Sequence, residues 1–167
     1  MARHFLAAAC LAFVGACAHG DSEGGAPRLS AADIAPTAGA GWKGSLVYRD
    51  YSPPQGEVTL AVEADIAVVP GGLSLTLRYP DEPGANSTDV LALSKDGARF
   101  GGDPVIDRRA EGGAIVATTR APCRDDDRPA TCEHLYRFGA REFAIEKRDR
   151  FDGETAFIRR NAYRLTR

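Results

Sequence analysis

Histidine, cysteine and aromatic residues are scarce in this chain, and charge of one sign is not in excess. Three His, four Cys and one Trp are spread over 167 residues, and 21 Lys and Arg face 23 Asp and Glu. Without a basic surplus there is no electrostatic footprint for nucleic acid and no basic helix for an anionic membrane surface. The longest apolar run, over residues 5–17, is shorter than the roughly twenty residues of a membrane-spanning helix. An aromatic content of 8% also argues against the aromatic girdles of an outer-membrane barrel. A nucleophile–histidine–acid arrangement downstream of the N-terminal segment would have to use His134, and no Gly-x-Ser-x-Gly elbow is present. The adjacent carboxylates Asp81 and Glu82 sit in a polar loop with no sign of burial. No catalytic residue is therefore assigned, no cofactor is expected, and the chain is not expected to be an enzyme.

What is present begins with an address. Met1-Ala2-Arg3-His4 precedes the apolar run Phe5 to Cys17, with small residues at its end, the three parts of a secretory signal. Val14-Gly15-Ala16-Cys17 resembles a bacterial lipobox. That resemblance implies a signal over residues 1–16, a lipid on Cys17 and attachment to a membrane through it. The alternative is ordinary cleavage after Ala18, since Ala16-Cys17-Ala18 also fits the small-x-small pattern. With Ala18 rather than Asp after the cysteine, the lipid implies an outer-membrane location facing the periplasm; ordinary cleavage implies a soluble periplasmic or secreted protein. Residues 17–41 are rich in Gly, Ala, Ser and Pro, with Leu29 and Ile34 the only large apolar side chains. The expectation there is a flexible tether with at most one helical turn over residues 30–34, ahead of one domain over residues 42–167.

Cys10 belongs to the apolar run, which leaves Cys123 and Cys132 as an even pair for an oxidising compartment. The polar segment 124–131 separates them, so a disulfide across a hairpin is expected, worth about 2–3 kcal/mol by loop closure. A metal held by Cys123, Cys132 and His134 lacks a fourth ligand at recognisable spacing. Asp125, Asp126 and Asp127 suggest calcium, but Arg124 and Arg128 flank them and no bidentate glutamate follows at loop spacing. No metal site is assigned. The Asn86-Ser87-Thr88 glycosylation pattern is read as incidental.

Period two governs the rest. Trp42, Gly44, Leu46 and Tyr48 alternate with polar neighbours, as do Val58, Leu60 and Val62, then Leu73, Leu75, Leu77 and Tyr79. Pro53-Pro54-Gln55-Gly56 and Pro70-Gly71-Gly72 mark turns between these runs. Further strands are expected over residues 88–94, 99–100, 104–109, 114–120, 133–138, 142–150 and 156–166. Short strands joined by hairpin chemistry predict an all-β, antiparallel up-and-down meander. Closing it into a small barrel of 8–10 strands hides both the edges and the apolar face. A two-sheet sandwich is the rival.

Four pieces of sequence carry a resemblance. They are Trp42-x-Gly44-x-Leu46-x-Tyr48-x-Asp50-Tyr51, Tyr79-Pro80-Asp81-Glu82-Pro83, Asp126-Asp127-Arg128-Pro129-Ala130-Thr131 and Arg160-Asn161-x-Tyr163. Together they resemble a group of small, uncharacterised bacterial envelope proteins and lipoproteins with calycin- or lipocalin-like barrels. True lipocalins carry Gly-x-Trp in the first strand, whereas Ala40 stands two before Trp42 here. The resemblance implies an arginine of the last strand, Arg160 or Arg164, stacked over Trp42 to close the barrel floor. Most aromatic side chains are expected to fill the core; Tyr48 and Tyr79, inward by alternation and near strand ends, are the candidate ligand contacts. The functional expectation is an envelope-anchored barrel holding a small apolar or amphipathic molecule. The alternative is a ligand-free module that contacts another envelope protein.

Overall fold

The computed structural model describes residues 25–167 except residue 53. The expected signal segment and the lipidation site Cys17 lie outside the described residues. Ten strands form as the alternation predicts: β1 (Gly39–Asp50), β2 (Gly56–Val69), β3 (Gly72–Arg78), β4 (Ser87–Ala92), β5 (Arg99–Phe100), β6 (Asp103–Glu111), β7 (Ala114–Asp125), β8 (Arg128–Phe138), β9 (Glu142–Phe151) and β10 (Ile158–Thr166). Their order in the sheet is β4-β3-β2-β1-β10-β9-β8-β7-β6-β5, and the described pairs are antiparallel. Each half of the chain is thus a meander, and β1 pairing with β10 joins the halves. Among the described residues, the outer strands meet through the bridge Leu93–Phe100. The result is an all-β, nearly closed ten-stranded barrel, compatible with a calycin-like fold.

Register stacks the inward side chains in layers. One layer joins Val62, Gly44, Leu165, Phe143, Phe138 and Ile115 through directly paired positions. The next joins Leu60, Leu46, Tyr163, Ile145, Tyr136 and Ala117. Phe100 packs edge-on against both Tyr136 and Phe138, with ring centroids 4.9 and 5.5 Å away. Gly44 is required by close approach, because a Cβ there would sit 1.9 Å from the Arg164 carbonyl oxygen.

The described part of the segment expected to be a tether, from residue 25 onward, closes this apolar end. Ser30 caps the single-turn helix α1 (Ala31–Ile34) through its side chain, and Asp33 returns a bond to the Ser30 backbone at 2.8 Å, a complete capping box. Arg108 of β6 donates to the Asp33 carboxylate, its Nε at 3.0 Å. Burial opposes ionisation of Asp33, but the bonds from Arg108 and Ser30 outweigh it and hold the carboxyl below its ordinary range. The Leu29 N–H donates to the Gly97 carbonyl at 2.9 Å. Leu29 and Ile34 are buried in the core, a contribution of about 1.5–3 kcal/mol each. Two anchors thus tie down a stretch whose average composition reads as disordered.

The floor is completed by Trp42, whose Nε1 donates to the Thr37 carbonyl at 3.1 Å. The cation over its ring is Arg167, 4.6 Å from the centroid, and neither Arg160 nor Arg164 as expected. Parity explains Arg164: its neighbour Leu165 faces the core, so Arg164 faces outward and pairs with Glu146 at 3.1 Å. Arg160 lies near the start of β10, at the opposite end of the barrel from Trp42, in a register shift between Arg159 and Asn161, and it donates to Asp125. Arg167 also donates to the carbonyls of Ala38 (2.8 Å), Ala140 (2.9 Å) and Pro36 (3.2 Å).

Candidate functional site: the polar end of the barrel

Above the two apolar layers the interior changes character. Tyr48, Asn161, Lys147, His134 and Thr119 are directly paired in register across β1, β10, β9, β8 and β7. Beyond them, Ile158, Asp149, Cys132 and Ala121 form the next layer. The parity that turns Phe143 and Ile145 inward also turns Lys147 and Asp149 inward, so β9 carries charge into the barrel.

Asp125, the last residue of β7, gathers three donors. The Tyr51 hydroxyl donates to it at 2.8 Å, Arg160 Nε at 3.1 Å and Lys147 Nζ at 3.4 Å. Burial pushes its carboxyl up, yet these donors prevail and hold it below the ordinary range. Tyr51 responds in the opposite sense: burial, then its bond to Asp125, push the phenol up to about 12. Arg160 stacks on the Tyr51 ring at 4.5 Å and donates to the Arg49 carbonyl. These groups span the end of the barrel from β1 to β7.

Asp149 lies beneath them with its side chain fully buried. Lys147 Nζ is 3.3 Å from its Oδ2, and Cys132 Sγ is 3.0 Å from its Oδ1. Burial first, then the neighbouring charge of Asp125, push its carboxyl up, and Lys147 opposes them. His134 Nδ1 stands 3.5 Å from Asp103, too far for a good hydrogen bond. Burial holds this imidazole below its ordinary value, with Asp103 pulling the other way and Lys147 reinforcing it. The buried atoms Thr119 Oγ1 and His134 Nδ1 meet no hydrogen-bond partner among the described residues. Buried polar atoms of this kind are uncommon in folded proteins.

The expected disulfide is formed, with Cα atoms of Cys123 and Cys132 5.8 Å apart. The strands run further toward their turn than the sequence suggests. Only Asp126 and Asp127 remain as a two-residue turn, at φ 48° and 56°, a left-handed pair that suits the twist of a hairpin. Asp125 therefore points into the barrel network and not into a calcium loop. Atoms of Cys123, Cys132 and Asp149 lie within 4.8 Å of one another, but half-cystine sulfurs are not the thiolates that bind metal.

The two candidate tyrosines take separate positions. Tyr48 is half-buried in the first polar layer, opposite Asn161. Tyr79 is buried just past β3, and its hydroxyl shares a 2.8 Å hydrogen bond with that of Tyr163. Burial and this bond together push the Tyr163 phenol up. Lys147 and Asp149 are interior groups that the sequence does not single out, and Asp125, read there as part of a polar turn, joins them. At the rim, a cleft of about 320 Å³ is lined in part by Arg49, Tyr51, Arg128, Phe151 and Glu154. The Arg128 guanidinium lies 3.8 Å from the Phe151 ring centroid there. Compared with known proteins, the chain matches no family model and no curated protein.

Proposed function

We propose that the protein is an envelope-anchored barrel that binds a small amphipathic molecule at its polar end. The carrying observation is the layered interior: aromatic and aliphatic side chains fill one end, whereas inward Tyr48, Lys147, His134 and Thr119 line the other. Polar groups facing inward without full pairing suit a ligand that brings its own donors and acceptors. A wholly apolar ligand would strand them. The arginines and aromatic rings of the rim cleft suit a ligand with both polar and apolar parts. The address is supported by the lipobox-like Val14-Gly15-Ala16-Cys17 and by the Cys123–Cys132 disulfide, which suits an oxidising compartment. Membership of the lipocalin-like envelope lipoproteins, with the lipid holding the barrel to the periplasmic face of the outer membrane, completes the reading.

A second reading is favoured by the seam. Val90 stands exposed on the outer strand β4, and Ile106 on β6 beyond the two residues that β5 pairs, at 59% and 39%. A free strand edge with apolar side chains is a place for another envelope protein to add a strand.

Native mass spectrometry of the protein purified from its host envelope tests both readings. A non-covalent mass lost on denaturation supports the binding barrel, and a bare chain turns the case to the seam. The denatured spectrum tests the address: a lipid-sized increment on a chain beginning at Cys17 is expected, and an unmodified mature chain sinks the anchored form.

A further inference from the structure

The two sulfurs of the disulfide sit in different surroundings. Cys132 is 3% exposed, whereas Cys123 keeps part of its surface in solvent. Asp149 is paired in register with Cys132, and its Oδ1 touches the Cys132 sulfur at 3.0 Å. A half-cystine sulfur has no proton to donate. The contact becomes a hydrogen bond only when the carboxyl holds a proton, or when reduction places one on Cys132. A buried acid therefore stands where the proton of a leaving thiolate must come from. We propose that Cys123–Cys132 is a thiol–disulfide exchange centre for an external dithiol, with Asp149 moving the proton to and from the Cys132 sulfur.

A thiolate of the dithiol attacks Cys123 Sγ, forming a mixed disulfide and breaking the Cys123–Cys132 bond. The released electron pair stays on Cys132 Sγ, which takes the proton of the Asp149 carboxyl. The second thiol of the dithiol then attacks the mixed disulfide at the dithiol's own sulfur, and Cys123 leaves and takes that thiol's proton. Asp149 regains the proton that the first thiol gave up to solvent. The dithiol is oxidised by two electrons and the protein carries two thiols; oxidation by an external disulfide runs the sequence in reverse. Lys147, 3.3 Å from Asp149, offsets the charge left on the carboxylate.

Several charged groups bear on Asp149. Lys147 is on its own strand, and Asp125 of β7 shares that lysine. The Tyr51 phenol also feels the charge of Asp149, while His134 of β8 is paired in register with Lys147 and Arg160 of β10 is engaged by Asp125 and the Tyr51 ring. The buried carboxyl holds its proton to higher pH than an ordinary carboxyl. The proposal does not depend on a ligand at the polar end.

The test is reduction of the native, oxidised full chain by dithiothreitol across a pH series, read as free thiols released without denaturant. The rate constant per dithiothreitol thiolate is expected to fall as pH rises and Asp149 loses its proton. Asp149→Asn should slow reduction about a hundredfold, the lower range of what positioned proton transfer supplies, and flatten the profile. His134→Gln should keep the inflection. A disulfide that reacts only after denaturation, a profile flat in the unaltered protein, or an inflection lost in His134→Gln overturns the proposal. Should Asp149→Asn fail to fold, the unaltered protein and His134→Gln still decide it. If Asp149→Asn folds and reacts at the wild-type rate, the proton does not come from Asp149.

Discussion

The two ends of this barrel are closed by different chemistry. At one end Trp42, Phe138, Phe143 and the anchors Leu29 and Ile34 pack together, and the polar groups there are spoken for. Trp42 donates to Thr37, Asp33 is held by Arg108 and Ser30, and Arg167 caps three carbonyls. At the other end a carboxylate, a lysine and a disulfide are crowded inside, and buried polar atoms of Thr119 and His134 meet no hydrogen-bond partner among the described residues. Burying polar groups without partners costs free energy that the apolar end must offset. A sequence that specifies its fold so consistently at one end and departs from the rules at the other is marked for function at the departure. The filled end holds the barrel's shape; the polar end carries the proposed binding and exchange chemistry.

The sharpest way to break this comparison is truncation in each layer. Phe143 is 1% exposed, with the Trp42 and Phe138 centroids 6.4 and 6.2 Å from its own. Phe143→Ala should cost about 3–5 kcal/mol in urea unfolding, because the surrounding rings cannot collapse onto the space. Tyr48→Ala, half-buried in the polar layer, should cost about 1 kcal/mol, the centre of the general distribution. Equal losses would mean that the two ends are equally packed. Removing the disulfide comes next: the double variant Cys123→Ala/Cys132→Ala should lose about 2–3 kcal/mol, read as a lower denaturation midpoint. A negligible loss would leave the bond without a structural role and strengthen its chemical one.

Most of the barrel is legible in sequence because a half-buried strand writes its environment into every second residue. All ten strand-like runs correspond to strands, including the two-residue β5, since Gly and Pro punctuate them. Closure of the tether segment over the floor is not legible in the same way. Leu29 and Ile34 are two residues in a stretch of small ones, and an average over composition hides them. The polar end was half legible. Period two places Lys147 and Asp149 inward as surely as Phe143 and Ile145, but a charged residue on a strand reads as solvent-facing until a tertiary partner is known. Asp125 required more, because the length of the hairpin depends on two left-handed aspartates that no alternation signals.

The arginine over Trp42 shows the same limit on a smaller scale. Resemblance points to the last strand, and reach, not position, decides which of its arginines arrives. Arg164 is three residues from the inward Asn161 on β10, so alternation turns it to solvent, where it meets Glu146. Arg167 lies just past the strand, so its side chain is free to fold back under the floor toward Ala38 and Ala140. Gly39 makes room for it, since a Cβ there would stand 1.6 Å from Arg167 Nη1. Arg167→Ala should therefore lose about 1–2 kcal/mol, the sum of a stacked cation and charged hydrogen bonds, less what water restores. Arg164→Ala should stay within about 0.5 kcal/mol of the wild type, as an exposed ion pair does. Denaturant midpoints of the two variants, measured side by side, separate them. If Arg164→Ala is the more damaging, the floor is closed from the strand itself and Arg167 is only a surface contact.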